Sequence, residues 1–215
     1  MNLPGRSRKL STLAWSMFAL WLVLSACSDG SSSHRGYFID SPVEGLTYET
    51  NTLSGTTDGR GTFYFSPGEQ VKFFVGGLPL GFARGRDVIT PLDLVPGASD
   101  ENNQEVVNIV RLLITLDADA NPENGITIDQ EVQDAIPEMA IIFNQNYESF
   151  ALDPHVQEIV DIVNSVLGLS ETAARGLCTA EQASAHLANT LDELSNYTPA
   201  GHDGNASGGG ATGGG

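Results

Sequence analysis

The hydrophobic pattern of this chain changes its period near Gly97, and this change constrains the fold more than any other feature of the sequence. Between Gly36 and Ala98, short runs of β-branched and aromatic residues recur at roughly ten-residue spacing, a pattern typical of strands joined by tight turns. After Gly97 the apolar residues follow the spacing of amphipathic helices. The sequence therefore predicts an α+β fold, in which a small β-sandwich at residues 36–98 precedes a C-terminal helical subdomain of three to four helices at residues 99–198.

The stretch from Gln70 to Val75 is the most regular of the predicted strands. Val71, Phe73 and Val75 alternate along it and would share one buried face. A turn at residues 58–61 precedes another strand, because Asp and Gly residues cluster there. These turns and strands would build the sandwich.

Residues 105–116 predict the central helix of the second half. Its polar side chains lie on one narrow stripe, at Glu105, Asn108, Arg111 and Thr115. The helix is expected to be buried on every side except that stripe. Asn102, three residues before Glu105, has the spacing of a capping box at the start of this helix.

Three further helices are expected after this one. Asp153 and Pro154 open the first, and Gly168 closes it. Residues 170–175 predict a short helix, and Thr179 caps the last helix of the chain. Their apolar faces would complete the core of the helical subdomain.

The first 26 residues have the layout of an export signal. Basic residues precede an apolar stretch at residues 13–24, which is too short to cross a bilayer, because a spanning helix needs roughly 20 apolar residues. Leu24, Ser25, Ala26 and Cys27 follow at the end of the signal.

These four residues resemble the lipobox of bacterial lipoproteins. The resemblance implies that a signal peptidase cuts before Cys27 and that this cysteine carries diacylglycerol and palmitate, so that the lipid bilayer is a partner of the mature chain. Ser28 directly after the cysteine implies location at the outer membrane. Residues 27–35 are rich in Ser and are expected to form a short tether.

Charge limits the partners of the mature chain. Removal of residues 1–26 leaves 7 basic and 27 acidic residues, a net charge of −20. A polyanion of this kind is not a nucleic-acid binder, because phosphate recognition needs clustered Lys and Arg. The acidity is expected to provide solubility, and binding of divalent cations is the more specific alternative.

Motifs for catalysis are absent from the sequence. With Cys27 acylated, Cys178 is the remaining cysteine, and its apolar setting suggests a small packed side chain rather than a nucleophile. The four histidines are scattered, and His186 falls beside the apolar face of the last helix, where it is expected to border the core. The chain is therefore predicted not to be an enzyme.

A second resemblance covers about a third of the chain. Residues 41–48, which begin Ser-Pro-Val-Glu-Gly, and residues 54–63, which contain Thr57-Asp58-Gly59 and Phe63, are similar to transthyretin-like domains, including carboxypeptidase regulatory-like modules. In that family the Asp-Gly turn joins two strands and the Phe enters the sandwich core. The resemblance therefore implies a fold but no activity. Residues 90–119 also resemble a segment of uncharacterised secreted proteins and lipoproteins of proteobacteria.

The most specific local signal for a ligand follows the central helix. Oxygen-bearing side chains alternate there and resemble the start of an EF-hand or dockerin calcium loop, with candidate ligands Asp117, Asp119, Asn121, Asn124 and Glu131. The glycine of that pattern does not follow the third ligand directly, and a polar loop built on Asp and Asn turns is the alternative. Calcium is the one cofactor that the sequence suggests.

Residues 199–215 are rich in Gly and are predicted to be disordered. This stretch looks like a flexible tail, or like an interdomain linker of a longer protein. Taken together, the sequence predicts a membrane-anchored envelope or surface lipoprotein that acts as a non-enzymatic binding, adhesion or scaffold module for a protein or carbohydrate ligand. The alternatives are a calcium-dependent adhesion or assembly module and a hydrolase whose site carries no recognised motif.

Overall fold

The change of period near Gly97 corresponds to a mixed α+β fold in the computed structural model, which describes residues 33–196. The predictions on the signal at residues 1–26, on Cys27 and on the tail at residues 199–215 lie outside the described residues. The nine strands of the described part are β1 (His34–Phe38), β2 (Val43–Glu44), β3 (Thr47–Glu49), β4 (Ser54–Thr56), β5 (Thr62–Phe65), β6 (Gln70–Val75), β7 (Leu78–Arg84), β8 (Val88–Ile89) and β9 (Ile126–Thr127).

Two sheets form the first part of the fold. A three-stranded sheet has the order β5-β1-β8, with β1 antiparallel to β5 and parallel to β8. A four-stranded antiparallel sheet has the order β4-β3-β6-β7. Aromatic rings join the sheets, because Phe73 of β6 lies 4.8 Å from Phe38 and 5.3 Å from Phe63, ring centroid to ring centroid. The alternation predicted for β6 is confirmed, since Val71, Phe73 and Val75 are all fully buried.

Five α-helices follow within the described residues. They are α1 (Gln104–Leu116), α2 (Gln130–Ala135), α3 (Tyr147–Ala151), α4 (Pro154–Val166) and α5 (Ala180–Asn196). Asp153 caps α4, with Pro154 at its first position, and Gly168 follows it with a φ of +63°, as predicted.

Two local predictions about the helices are wrong. The cap of α1 is Asn103, not Asn102, because the Asn103 side chain accepts hydrogen bonds from the backbone of Glu105 and Val106. Residues 170–175 form a turn rather than a helix. Asn164 of α4 binds both backbone polar groups of Arg175, at 2.8 and 2.9 Å, and thereby replaces helical hydrogen bonds.

Strands and helices share one hydrophobic core. Val43 of β2 pairs with Ile126 of β9, so a two-stranded parallel sheet links the region before Gly97 to the region after it. The β6–β7 turn also contacts α2 closely. Gly76 has a φ of +53°, and a Cβ atom at this position would overlap the backbone of Gln133. The middle of α5 lies beside the end of β1, because His186 and Thr190 of α5 contact Asp40 and Ser41, and α1 packs along α5.

Candidate functional site

A cleft of about 480 Å³ opens where α1, α5 and two loops meet. Its apolar walls include Ile114, Pro122 and Ala185, and its polar lining includes Glu123, Cys178 and His186. Clefts of a few hundred Å³ with apolar walls and a few polar groups are typical of small-ligand sites. This cleft is therefore the candidate functional site of the described residues.

His186 lies at the floor of the cleft, between two carboxylates. It belongs to the buried face of α5 and is only 5% exposed. Its Nε2 atom lies 3.2 Å from the backbone oxygen of Asp40 and 3.6 Å from Asp40 Oδ1. Its Nδ1 atom lies 3.4 Å from Oε1 of Glu123, whose side chain is 70% exposed. The sequence predicted that His186 borders the core. In the structure the side chain is buried, and its imidazole ring forms part of the cleft lining.

Asp40 is a fully buried carboxylate behind His186. It follows β1 in a tight turn in which Ser41 has a φ of +52°, and the backbone N–H of Ser41 donates to Oγ1 of Thr190 on α5. Neither carboxylate oxygen of Asp40 has a hydrogen-bond partner among the described residues. Burial raises the pKa of Asp40 from 3.8 to about 7, although the nearby His186 lowers it in part.

Sequence reasoning did not single out Asp40. The sequence did contain one indication, because Asp40 comes directly after the apolar residues of a strand. A carboxylate in such a position must be exposed to solvent, hydrogen-bonded or paired with a basic group. Its partner His186 is 146 residues away in the chain, so no local sequence pattern could predict that the two residues meet.

The thiol of Cys178 lines the same cleft and packs against the core, but it is half-buried rather than the buried side chain expected from the sequence. Burial raises the pKa of this thiol from 9.0 to about 11, against the lowering effect of Arg111. The thiol is therefore protonated at neutral pH. A protonated thiol is a poor nucleophile and a poor metal ligand.

The polar stripe predicted on α1 holds the cleft wall in place. Arg111, only 5% exposed, donates from Nε to the backbone oxygen of Cys178 at 2.7 Å. Thr115 accepts a hydrogen bond from the Cys178 backbone N–H at 2.9 Å. Asn108 donates to the backbone oxygens of Phe143 and Gln145 at 2.8 and 2.9 Å. Asn108, Arg111 and Thr115 are buried rather than solvent-facing, because two irregular segments cover them, whereas Glu105 in the first turn is half-buried.

The predicted calcium ligands lie in and beyond the loop that borders the cleft. Asp117 is buried, and its carboxylate accepts backbone N–H groups from Asn121 at 2.7 Å and from Thr127 at 3.0 Å. Asp119 accepts from the Asn121 backbone at 2.9 Å and from the Asn124 side chain at 2.9 Å. Four of the five candidates are thus joined in one hydrogen-bonded loop, while Glu131 lies on α2 and makes no side-chain hydrogen bond to the loop within the described residues.

A guanidinium group binds the backbone of this loop. Arg175 donates to the backbone oxygens of Asp117 and Ala118, the second at 2.7 Å. Hydrogen bonding lowers the pKa of Asp119, whereas burial raises the pKa of Asp117. These contacts account for the Asp and Asn residues without a metal, and the calcium site stays a prediction.

We expect the melting temperature of the protein to be the same in millimolar Ca²⁺ and in excess EGTA, because N–H groups of the loop already occupy the carboxylates and Arg175 already binds two of its backbone oxygens. Differential scanning calorimetry measures this directly, since a ligand that binds the native state raises its melting temperature. A rise of several degrees in Ca²⁺ that is lost in Asp119→Asn, but kept in the surface control Asp161→Asn, would instead establish the calcium site.

The remaining candidate residues are the four at the end of the signal. Leu24, Ser25, Ala26 and Cys27 lie outside the described residues. Within residues 33–196 no group of three or more His, Cys, Asp and Glu side chains has a geometry that could hold a metal ion.

Comparisons with known proteins add no identification. No protein-family model, curated protein or solved structure matches the chain. A search of residues 33–196 for a helix long and apolar enough to cross a membrane finds none.

Proposed function

We propose that the protein is an envelope lipoprotein, anchored in the bilayer through Cys27 at the outer membrane. The observation that carries this proposal is the order of basic residues, short apolar stretch and Leu-Ser-Ala-Cys at residues 24–27. The position of β1 at His34–Phe38 is compatible with this proposal, because a strand of the domain stands seven residues after the cysteine in the sequence. Acyl chains together anchor such a domain stably, since each buried methylene contributes about 0.8 kcal/mol.

Cys27→Ala is expected to abolish palmitate incorporation and to release the protein from the membrane fraction. Metabolic labelling with a palmitate analogue, followed by membrane fractionation, measures both effects in one culture. Cys178→Ala is the matched control, and it should retain the label because that thiol belongs to the folded part. Membrane retention of the Cys27→Ala protein at the level of the wild type would contradict the proposal.

Within this lipoprotein, residues 36–98 form a small transthyretin-like β-sandwich that the helices extend. The aromatic contacts of Phe38, Phe63 and Phe73 between two sheets support this interpretation. The turn at residues 58–61 supports it as well, because the Asp58 carboxylate accepts backbone N–H groups from Arg60 and Thr62, and its pKa is lowered as a result.

The folded part acts as a non-enzymatic binding module, whose ligand enters the cleft at His186. Nucleophilic catalysis needs a hydroxyl or thiol within hydrogen-bond reach of a base. The ring nitrogens of His186 face Asp40 and Glu123 instead, and the Cys178 thiol has a raised pKa. A cleft of about 480 Å³ fits one side chain of a protein ligand or one sugar unit.

A further inference from the structure

A second recess adjoins the candidate cleft at the side chain of Glu123. It measures about 290 Å³, and its polar lining includes Ser41, Thr190 and Glu193. Glu123 lines both spaces, and α5 contributes side chains to each of them. The loop at residues 117–125 forms the other wall of both. We name the two spaces together the Glu123 groove.

The two walls of the Glu123 groove are acidic. The loop at residues 117–125 contains three carboxylates and α5 contains three more, and neither segment contains Lys or Arg. Of these six, Glu123 and Glu193 line the groove. Arg175 also lines the cleft, but its guanidinium donates to two backbone oxygens of the loop. The groove is therefore complementary in charge to a cation.

The buried carboxylate of Asp40 adds to this charge from behind the groove. Neither of its oxygens has a hydrogen-bond partner among the described residues, although nearly all buried polar atoms in proteins have one. His186, which lines the cleft, faces this carboxylate at 3.6 Å. Burial raises the pKa of the Cys178 thiol in the cleft, and the charge of Asp40 adds to that rise. The negative potential of Asp40 thus reaches the cleft.

Asp40, His186 and Glu123 together carry an excess negative charge. The two ring nitrogens of His186 both face oxygen atoms, Nε2 at 3.2 Å from the backbone oxygen of Asp40 and Nδ1 at 3.4 Å from Oε1 of Glu123. Two carboxylates and one proton shared between Asp40 and His186 sum to a charge of −1, wherever the proton lies. Loss of that proton makes the charge more negative. The part of this charge that a ligand can reach is the Glu123 carboxylate, since its side chain is 70% exposed.

The uncharged part of the lining selects the kind of cation. Pro122 and Ala185 are apolar and fit an aliphatic stem. Ser41 and Thr190 present neutral oxygen atoms near Glu123, and an ammonium group has three N–H donors to share among such acceptors. Sites for methylated ammonium groups use aromatic rings instead, and within residues 33–196 no aromatic side chain lines the groove.

We propose that the Glu123 groove binds a primary ammonium group on an aliphatic stem, as in a lysine side chain of a partner protein or in a free aliphatic amine. The ammonium group donates to the carboxylate of Glu123, and the stem packs against Pro122 and Ala185. This inference rests on the proposed role of the folded part as a binding module.

Isothermal titration calorimetry tests the charge preference on the full-length lipidated protein in phosphatidylcholine nanodiscs, with empty nanodiscs as the baseline. N-acetyl-lysine N-methylamide and diaminopentane carry the ammonium group. N-acetyl-norleucine N-methylamide has the lysine stem without it, and N-acetyl-glutamate N-methylamide carries the opposite charge. We expect the lysine probe to bind about 10-fold or more tightly than the norleucine probe, because a hydrogen bond to a charged group contributes roughly that factor to affinity.

A charge-neutralising substitution locates the site. Glu123→Gln is expected to weaken the binding of both cationic probes about 10-fold, because the ammonium group loses its charged acceptor. Glu158→Gln makes the same change at an exposed position of α4 outside the groove and should leave both affinities unchanged. Circular dichroism melts of each variant check that the fold is intact.

The outcomes separate the ammonium site from the proposed function. Tighter binding of the lysine probe than of diaminopentane supports the site with a protein side chain as its ligand, and the reverse order supports it with a free amine. Norleucine or glutamate probes that bind as tightly as the lysine probe overturn the ammonium preference and leave a binding module. A Glu123→Gln protein with wild-type affinity, or no binding by any probe, overturns the site and leaves the anchor at Cys27 standing. A cationic probe that binds but is recovered chemically changed supports the site and overturns the non-enzymatic role.

Discussion

Asp40→Asn is expected to stabilise the protein at about pH 8, by an amount on the order of 4 kcal/mol, and to change its stability little near pH 4. The carboxylate of Asp40 is fully buried and accepts no hydrogen bond within the described residues. Ionising it in this setting is costly, because no hydrogen-bond donor of the described residues replaces its hydration. An asparagine has the shape of the protonated acid and carries no charge at any pH.

The pH dependence follows from the raised pKa of Asp40, which is about 7 in the folded protein against 3.8 as the ordinary value. Below about pH 4 the carboxyl group is protonated in both states, so the substitution changes little. Between these two values the unfolded chain releases the proton first, and the stability of the wild type falls as the pH rises. Above pH 7 the loss is complete, and it amounts to roughly 4 kcal/mol for a pKa that moves from 3.8 to about 7. His186 lies 3.6 Å from the Asp40 carboxylate, Glu123 faces the other ring nitrogen of His186, and the Cys178 thiol is close enough for Asp40 to add to the rise in its pKa that burial causes.

Urea unfolding of the wild type and of Asp40→Asn across this pH range measures the difference. Asp58→Asn is an informative control, because hydrogen bonds from Thr62 and Arg60 lower the pKa of Asp58. The stability that Asp58 contributes is present above its ordinary pKa and is lost as the pH falls, so its pH dependence has the opposite sign. A stability gain in Asp40→Asn that is independent of pH would contradict the buried-charge explanation.

Sequence periodicity predicted the strands and helices whose side chains pack locally. The burial of Val71, Phe73 and Val75 on β6 needed only the alternation of a strand, and the start of α4 at Asp153 and Pro154 needed only capping chemistry. Such features depend on residues a few positions apart. Their physical cause is visible in the sequence itself.

The candidate site depends on contacts that no local pattern contains. Asp40 meets His186 across 146 residues, and Arg175 reaches the backbone of the loop at Asp117 across 58 residues. The short helix predicted at residues 170–175 is replaced by a turn because Asn164 holds the backbone of Arg175. Local propensity is weaker than this tertiary hydrogen bonding.

The polar stripe of α1 is the most instructive of these differences. Amphipathic reasoning assigns polar residues to the solvent-facing side of a helix. On α1, the segments around Phe143 and Cys178 lie over that side and present backbone oxygens to it. Asn108 and Arg111 therefore serve as hydrogen-bond donors inside the protein, and the stability of the cleft wall depends on them.

Arg111→Met is expected to lower the free energy of unfolding by roughly 3 kcal/mol, because three oxygen acceptors lose their donor while the cost of burying the guanidinium charge is removed. The guanidinium donates to the backbone oxygens of Cys178 and Tyr147 and to Oδ1 of Asn108, at 2.7, 3.1 and 3.0 Å. It also lies over the rings of Tyr147 and Phe150, at 5.9 and 5.5 Å from the ring centroids. Methionine fills a similar volume but leaves three acceptors without this donor, and each unsatisfied buried group costs about 1 to 3 kcal/mol.

Chemical denaturation at neutral pH measures the effect of Arg111→Met, with Arg60→Met as a matched control at an exposed turn. The control should change stability by less than about 0.5 kcal/mol, since surface substitutions away from buried networks are nearly neutral. The loss of stability in Arg111→Lys should lie between the losses in Arg111→Met and in the Arg60→Met control. One ammonium group cannot reach all three acceptors as the guanidinium does. If Arg111→Met were as stable as the wild type, the hydrogen bonds of the stripe would not hold the Cys178 segment. The wall of the cleft at His186 would then rest on apolar packing and on the hydrogen bond from the Cys178 backbone to Thr115.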